Sequence, residues 1–453
     1  MSTVCERLAE FAAGVDVAAV PEAVRARAQD CLIHGLVVGG AGDAAGFGEI
    51  ARQALDVKGA GGAHLLASGD RAPAQLAAFA NSVLLHARAQ EDTHGTFHPG
   101  VATIPAALAA TESAGGDGAT FLAAVIAGYE VGTAISDPLT ELTTPPFRAT
   151  GVFGPLAAAA AAGRAFGLDA DRMTSALGLA AAFAGGSSET FAAGTDEWHY
   201  QSGAAASAGV LAAQLARAGA CGSARAIEGQ AGFLDCFVQG AAPDADALAA
   251  ELGRRWRILD VTFKPYPICA FNQVPALVAA RLAAEGGITA ADVRTVVVRM
   301  NEREATYPGV GFAGPFREVA QTLMSVRFCV ATALAHGHID YQGLRRFDDP
   351  VITGLVERIE VVPEPARPPK TASASLTTHD GRAYELAIDD SAKELSWDST
   401  AVRDNARRLR PETPWTPERL ESLFAVVGEL RSAPDLTGLL GAVLDPAVPA
   451  PGR

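Results

Sequence analysis

A mainly α fold, in which a large all-helical domain discontinuous in sequence accompanies a smaller α+β domain, follows from three observations on the 453-residue chain. Ala/Leu-rich windows of helical length fill residues 21–218. After Asp260 the pattern changes to short β-branched or alternating runs. Past residue 394 helical windows return, and three short helices would bury too little surface to stand alone. The expected boundaries are 1–263 for the first helical segment, 264–394 for the α+β domain and 395–453 for the return to the helical domain.

In chain order the helical windows are 21–40, 45–57, 73–88, 101–113, 117–136, 152–166, 170–186 and 202–218, with Gly, Pro, Asp or Thr at the breaks, as caps and loops require. The strands are 293–298, 358–362, 372–378 and 383–388. The last two are separated by His379-Asp380-Gly381-Arg382, whose Asp-Gly pair favours a tight hairpin. Helices near 271–285 and 317–336 interleave with them, and 402–409, 417–427 and 435–444 close the chain.

Composition excludes several classes of function. With 51 acidic against 36 basic residues the formal net charge is −15, which argues against a nucleic-acid binder. The stretch 151–167 is mostly alanine and broken by Pro155, Gly163 and Arg164, too weakly apolar to predict a membrane span. Six scattered cysteines form neither a CxxC pair nor a Cys/His cluster, so no zinc site or disulfide scaffold is expected and a reducing, cytoplasmic setting is. His336-Gly337-His338 is too short a pair to predict a metal, and no Gly-rich stretch has the setting that cradles phosphate. His86 and Cys269 read as core or loop residues.

Three loops collect the polar residues that the helices lack. Residues 91–100, EDTHGTFHPG, hold two carboxylates, two hydroxyls and two histidines between apolar helices. Residues 143–155 bring Thr143, Thr144, Pro145 and Arg148 ahead of a helix N-terminus, where amide donors and the helix dipole favour a carboxylate. Residues 263–273, FKPYPICAFNQ, put a lysine between prolines at the expected domain boundary, and lysine is scarce: only Lys58, Lys264, Lys370 and Lys393 occur. Each loop taken alone also fits an ordinary connection; together they favour a site.

In this order, the loops resemble the MmgE/PrpD family, along with GYEVG (128–132), FRATGVFGPLAAAAAAGRAFGL (147–168) and SVRFCVATAL (325–334). Nearly the whole chain is covered. The resemblance implies the two-domain fold above, a homodimer, and an interdomain active site with neither metal nor organic cofactor. It also implies a small carboxylate or carbonyl substrate that loses a proton from carbon in elimination, decarboxylation or epimerisation. Asp92, Thr93, His98 and Lys264 match family active-site positions, and Tyr307 matches a family tyrosine. Ala89 stands where the family carries the first aspartate of its DFDDTH motif, Arg148 where it has the histidine of FHPTG, Trp198 where it has a lysine and Gln201 where it has a histidine.

These departures are not bland, and they predict a lyase of this type working on a non-standard substrate. His98, Lys264 and Asp92 are the expected catalytic residues, and Thr93, Arg148, Trp198, His199 and Tyr307 the substrate-binding ones. Trp198 makes the pocket more apolar and better suited to a less charged acid than a citrate-like one. The alternatives are an epimerase or double-bond isomerase using the same proton transfer, and a catalytically silent binding or scaffold homologue.

Overall fold

The computed structural model describes residues 2–56, 61–139, 146–238 and 243–444. Val57, Lys58, Thr143, Thr144 and Pro145, which figure in the expectations above, lie outside them. The fold is mainly α, with two hydrophobic cores. One is built from residues up to Phe263 and again from Val402 to Leu444; the other runs chiefly from Tyr266 to Leu395.

The first core contains α1 (Val4–Gly14), α2 (Glu22–Gly42), α3 (Phe47–Leu55), α4 (Ala74–His86), α5 (Pro99–Ala114), α6 (Gly118–Ser136), α7 (Ala149–Ala165), α8 (Ala170–Ala182), the short α9 (Glu189–Ala193) and α10 (Glu197–Arg217). The helix α1 and a small hairpin of β1 (Ala63–His64) and β2 (Arg71–Ala72) carry no signal in the expected windows. At the centre α7 packs between α5, α6 and α10, and its six alanines 157–162 are fully buried. Such close approach needs small residues on both sides. A Cβ at Gly128 would lie 2.5 Å from Thr103 Cγ2, and one at Gly132 would lie 2.7 Å from the Ala157 Cβ.

The GYEVG segment of α6 is thereby explained residue by residue. Its glycines let α7 in, while Tyr129 donates to Asp92. Glu130 accepts the amides of Arg257 and Ile258 at 3.1 and 2.8 Å. Gly118–Leu139, contrary to the expectation that the alanine-rich segments are too weakly apolar for a span, is long and apolar enough to cross a membrane by length and composition, and 89% of its most apolar 18-residue window is buried inside the protein.

Beyond α11 (Phe233–Phe237) and α12 (Ala245–Ala249), the second core opens with α13 (Gln273–Gly286). Strand β3 (Val293–Asn301) is central, parallel to β4 (Ile359–Glu364) and antiparallel to β5 (Ala372–Thr378), which pairs with the edge strand β6 (Ala383–Ile388). Gly381, at φ 88°, takes the left-handed position in the β5–β6 turn that favours glycine. Between β3 and β4 lie α14 (Glu302–Ala305), α15 (Val319–Met324), α16 (Val326–His336) and α17 (Pro350–Val356). The expected helix at 317–336 is thus two helices, because Ser325 is extended and caps the second by accepting the Phe328 amide. After α18 (Ala392–Leu395), the helices α19 (Ser399–Leu409), α20 (Pro417–Glu429) and α21 (Thr437–Val443) rejoin the first core.

Candidate active site

Where the two cores meet, a cleft with about 580 Å³ of free space, part of it open to solvent, is lined by His86, Glu91, His98, Arg148 and Trp198 from one side and by Lys264, Phe271 and Tyr307 from the other. The chain reaches it through one short antiparallel pairing. Thr93 and Thr262 exchange backbone hydrogen bonds of 2.8 and 2.9 Å, and their hydroxyls meet at 2.8 Å. In that register, two residues further along each segment, Glu91 comes opposite Lys264.

Glu91 is the hub. Lys264 Nζ donates to its Oε1 at 2.6 Å and to the Ala89 carbonyl at 2.9 Å. His86 Nδ1 approaches Glu91 Oε2 at 3.0 Å and His98 Nδ1 approaches Oε1 at 3.1 Å, both out of line for a well-formed hydrogen bond. Burial alone would raise the Glu91 carboxyl, but His86, Lys264 and His98 around it hold it well below the usual carboxylate range. Burial lowers His86 to about 4 and, together with the Lys264 charge, puts His98 well below its ordinary value. Both imidazoles are therefore neutral at neutral pH.

Arg148, the residue just before α7, is 3% exposed. It donates to the Trp198 carbonyl, to Gln201 Oε1 at 3.3 Å and to His86 Nε2. Because arginine can only donate, His86 Nε2 is an acceptor and its proton sits on Nδ1, facing Glu91. Burial lowers Arg148 to about 10, so it is still a cation at neutral pH, and all three partners named are uncharged. Six buried polar side-chain atoms without a well-aligned partner, on His86, Glu91, Thr96, His98, Thr150 and Trp198, belong to residues lining this one cleft. Buried polar groups need a partner, which a ligand or solvent in the cleft can supply.

Of the expected residues, His98, Lys264, Arg148, Trp198 and Tyr307 line the cleft together. Three do not. Asp92 turns away: its Oδ1 accepts the Gly100 amide at 3.0 Å and its Oδ2 the Tyr129 hydroxyl at 2.5 Å, and burial raises it to about 6. It positions His98 by fixing the start of α5. Gly100 is required there, since a Cβ would come 2.5 Å from Asp92 Oδ1. Thr93 is likewise a positioning residue, occupied with Thr262. His199 stacks on Phe47 at 3.6 Å between ring centroids, outside the cleft. The corrections share one cause: consecutive residues on an extended loop or helix point in different directions, so a motif names a segment and not each side chain's target.

Glu91 and His86 were missed. His86 ends an apolar helix, where a lone histidine reads as core; its position at that C-terminus, ahead of a polar loop, is the available signal. Cys269, also read as structural, lines the cleft too. Among the described residues no group of three or more His, Cys, Asp and Glu is arranged as metal ligands.

Two cores, a seam cleft and a buried acid–base network define a small-molecule site of the kind found in two-domain enzymes. Residues 6–246 match the MmgE/PrpD N-terminal domain and residues 266–399 the MmgE/PrpD C-terminal domain; the chain belongs to the MmgE/PrpD family. It is similar to a cis-aconitate decarboxylase of Homo sapiens, 27% identical over 84% of this chain and 81% of that protein. It is also similar to a cis-aconitate decarboxylase-like protein of Aspergillus oryzae, 29% identical over 54% of each, and to a cis-aconitate decarboxylase of Aspergillus terreus, 26% identical over 60% of this chain and 59% of that protein. The matched parts thus span little more than half the length of the two Aspergillus proteins.

Proposed function

We propose that the cleft is the active site of a cofactor-independent lyase that takes a proton from carbon beside a carboxylate or carbonyl. The observation that carries this reading is the convergence of Lys264, Glu91, His98 and Arg148 in one buried seam. His98 is the base. Its Nδ1 is buried against Glu91, and 17% of the side chain is still exposed, which leaves Nε2 as the nitrogen for substrate. A neutral imidazole accepts a proton at Nε2, and Glu91 steadies the imidazolium that forms. The electron pair left on carbon moves into the adjacent carboxyl group, where Arg148 meets the growing charge. As the pair returns to form a carbon–carbon double bond, a β-hydroxyl departs with a proton from the ammonium of Lys264, which is paired with Glu91. Water is the product, and the transferred protons balance once His98 returns its own to Lys264 through solvent.

The family resemblance supports a homodimer, and the free state of all six cysteines supports a reducing, cytoplasmic setting. The test follows a panel of β-hydroxy acids by proton NMR in deuterated buffer. Elimination that is lost in His98→Gln and Lys264→Met is the expected result. Exchange at the α-carbon without elimination selects the isomerase instead, and folded protein giving neither with any acid overturns the reading in favour of a silent homologue.

A further inference from the structure

Building on the lyase reading, we infer that the cleft takes a monocarboxylic acid with a flat aromatic or conjugated body, in preference to a di- or tricarboxylic acid. The first argument counts charge. Among the described residues lining the cleft, the formally charged side chains are Lys264, Glu91 and Arg148. Lys264 and Glu91 neutralise each other at 2.6 Å, and His86 and His98 are neutral by burial. One cation, Arg148, is left with only neutral hydrogen-bond partners. A buried charge without an opposite charge is costly, so Arg148 favours one anionic group, and a second carboxylate would be buried beside Glu91 with no free cation to meet it.

The second argument is shape. A run of four rings adjoins the polar groups: Trp198 lies 6.3 Å from Phe191, Phe191 lies 5.9 Å from Tyr307, and Tyr307 lies 5.1 Å from Phe271. All four line the cleft, and the Arg148 guanidinium sits 5.7 Å from the Phe191 ring centre. A carboxylate on Arg148 therefore sits close to aromatic surface, along which offset or edge-on stacking of the rest of its carrier favours a flat body. The small Ala89 and the Trp198 ring stand at two positions where an acidic and a basic side chain, respectively, would have changed both the charge and the surface.

The test is calorimetric titration of the full chain with trans-cinnamate, phenylsuccinate and cis-aconitate, which carry one, two and three carboxylates. Cinnamate is expected to bind at least tenfold tighter than cis-aconitate, with phenylsuccinate between them. Arg148→Gln should weaken cinnamate at least tenfold. Ala89→Asp, which adds a negative charge to the same cleft, should weaken it in the same direction; it tests the count independently if the arginine variant does not fold. Equal or tighter binding of cis-aconitate, or cinnamate affinity indifferent to both variants, overturns the inference. Turnover of cis-aconitate would overturn it while leaving the lyase reading intact. Cinnamate bound through Arg148, with neither dehydration of 3-hydroxy-3-phenylpropanoate nor exchange at its α-carbon, would support the ligand class and sink the lyase reading.

Discussion

Glu91 and Asp92 are neighbours in sequence, both carboxylates and both buried, yet they belong to opposite sides of the same loop. On the cleft side, Glu91 faces a lysine and two imidazoles and is held ionised far below its ordinary range. On the helix side, Asp92 meets the Tyr129 hydroxyl, the Gly100 amide and the Cys31 thiol, all neutral, and burial raises it to about 6. Equal burial gives opposite shifts because the partners differ in charge. The contrast separates a carboxylate that organises proton transfer from one that organises backbone, although the two are interchangeable in a motif.

The sharpest way to break this comparison is to remove the cation from one side. Lys264→Met leaves Glu91 as a buried charge facing neutral imidazoles, and loss of one partner of a buried ion pair costs about 3–5 kcal/mol. Turnover should fall by about 10²–10⁴ as the acid is lost. Thermal denaturation and steady-state assays of Lys264→Met alone and with Glu91→Gln check the account. The double variant should regain most of the stability and none of the activity.

On the helix side the expected loss is smaller. Asp92→Ala orphans the Gly100 amide and the Tyr129 hydroxyl, a cost of about 1–3 kcal/mol. The two carboxylates also titrate in opposite senses. Glu91, depressed in the fold, contributes stability that is present above its ordinary value of 4.5 and is lost as pH falls below it. Asp92, raised in the fold, is better tolerated protonated; its contribution is greatest below 3.8 and declines as pH rises to about 6. Denaturant titrations between pH 3 and 7 should therefore show Asp92→Asn removing the decline toward pH 6, and Glu91→Gln removing the acid sensitivity. If both variants tilt the curve the same way, the loop does not separate the two groups.

The same loop marks what sequence makes legible. Periodicity carried the long helices and all four strands of the main sheet, because apolar spacing records which face is buried, and Asp380-Gly381 located the β5–β6 turn because few residues adopt its geometry. Scarcity singled out Lys264, and the company of hydroxyls and a helix start singled out Arg148. Sequence could not tell Glu91 from Asp92, since that depends on the Thr93–Thr262 register formed across 169 positions. For His86 the sequence held only a weak signal, its place at a helix C-terminus beside a polar loop, because the Arg148 that accompanies it in the cleft lies 62 positions away.

That register gives a milder test. Thr93→Val removes the hydroxyl pair with Thr262 while sparing both backbone bonds, so stability should fall by about 1 kcal/mol. If the pairing serves to set Glu91 against Lys264, kcat should fall several-fold with KM little changed, since neither threonine lines the cleft. A KM increase with kcat intact would instead put Thr93 in contact with substrate.

The smallest effect is expected at Ala89, where the loop leaves α4. Its φ of 53° lies in the left-handed region, which costs a residue with a Cβ about 1–2 kcal/mol, and its carbonyl accepts from Lys264 in that conformation. Glycine adopts the same angles freely but gives the unfolded chain more entropy, so the two terms oppose. Ala89→Gly should then stabilise the protein by a net of about 0.5–1 kcal/mol. The lysine contact is made by the backbone and survives the substitution. A rise in melting temperature with unchanged turnover would mean that the strain only turns the chain toward the cleft. A rise in stability with a fall in kcat would mean that the stiffness of this turn holds Lys264 in line, extending the cleft side of the loop by one residue.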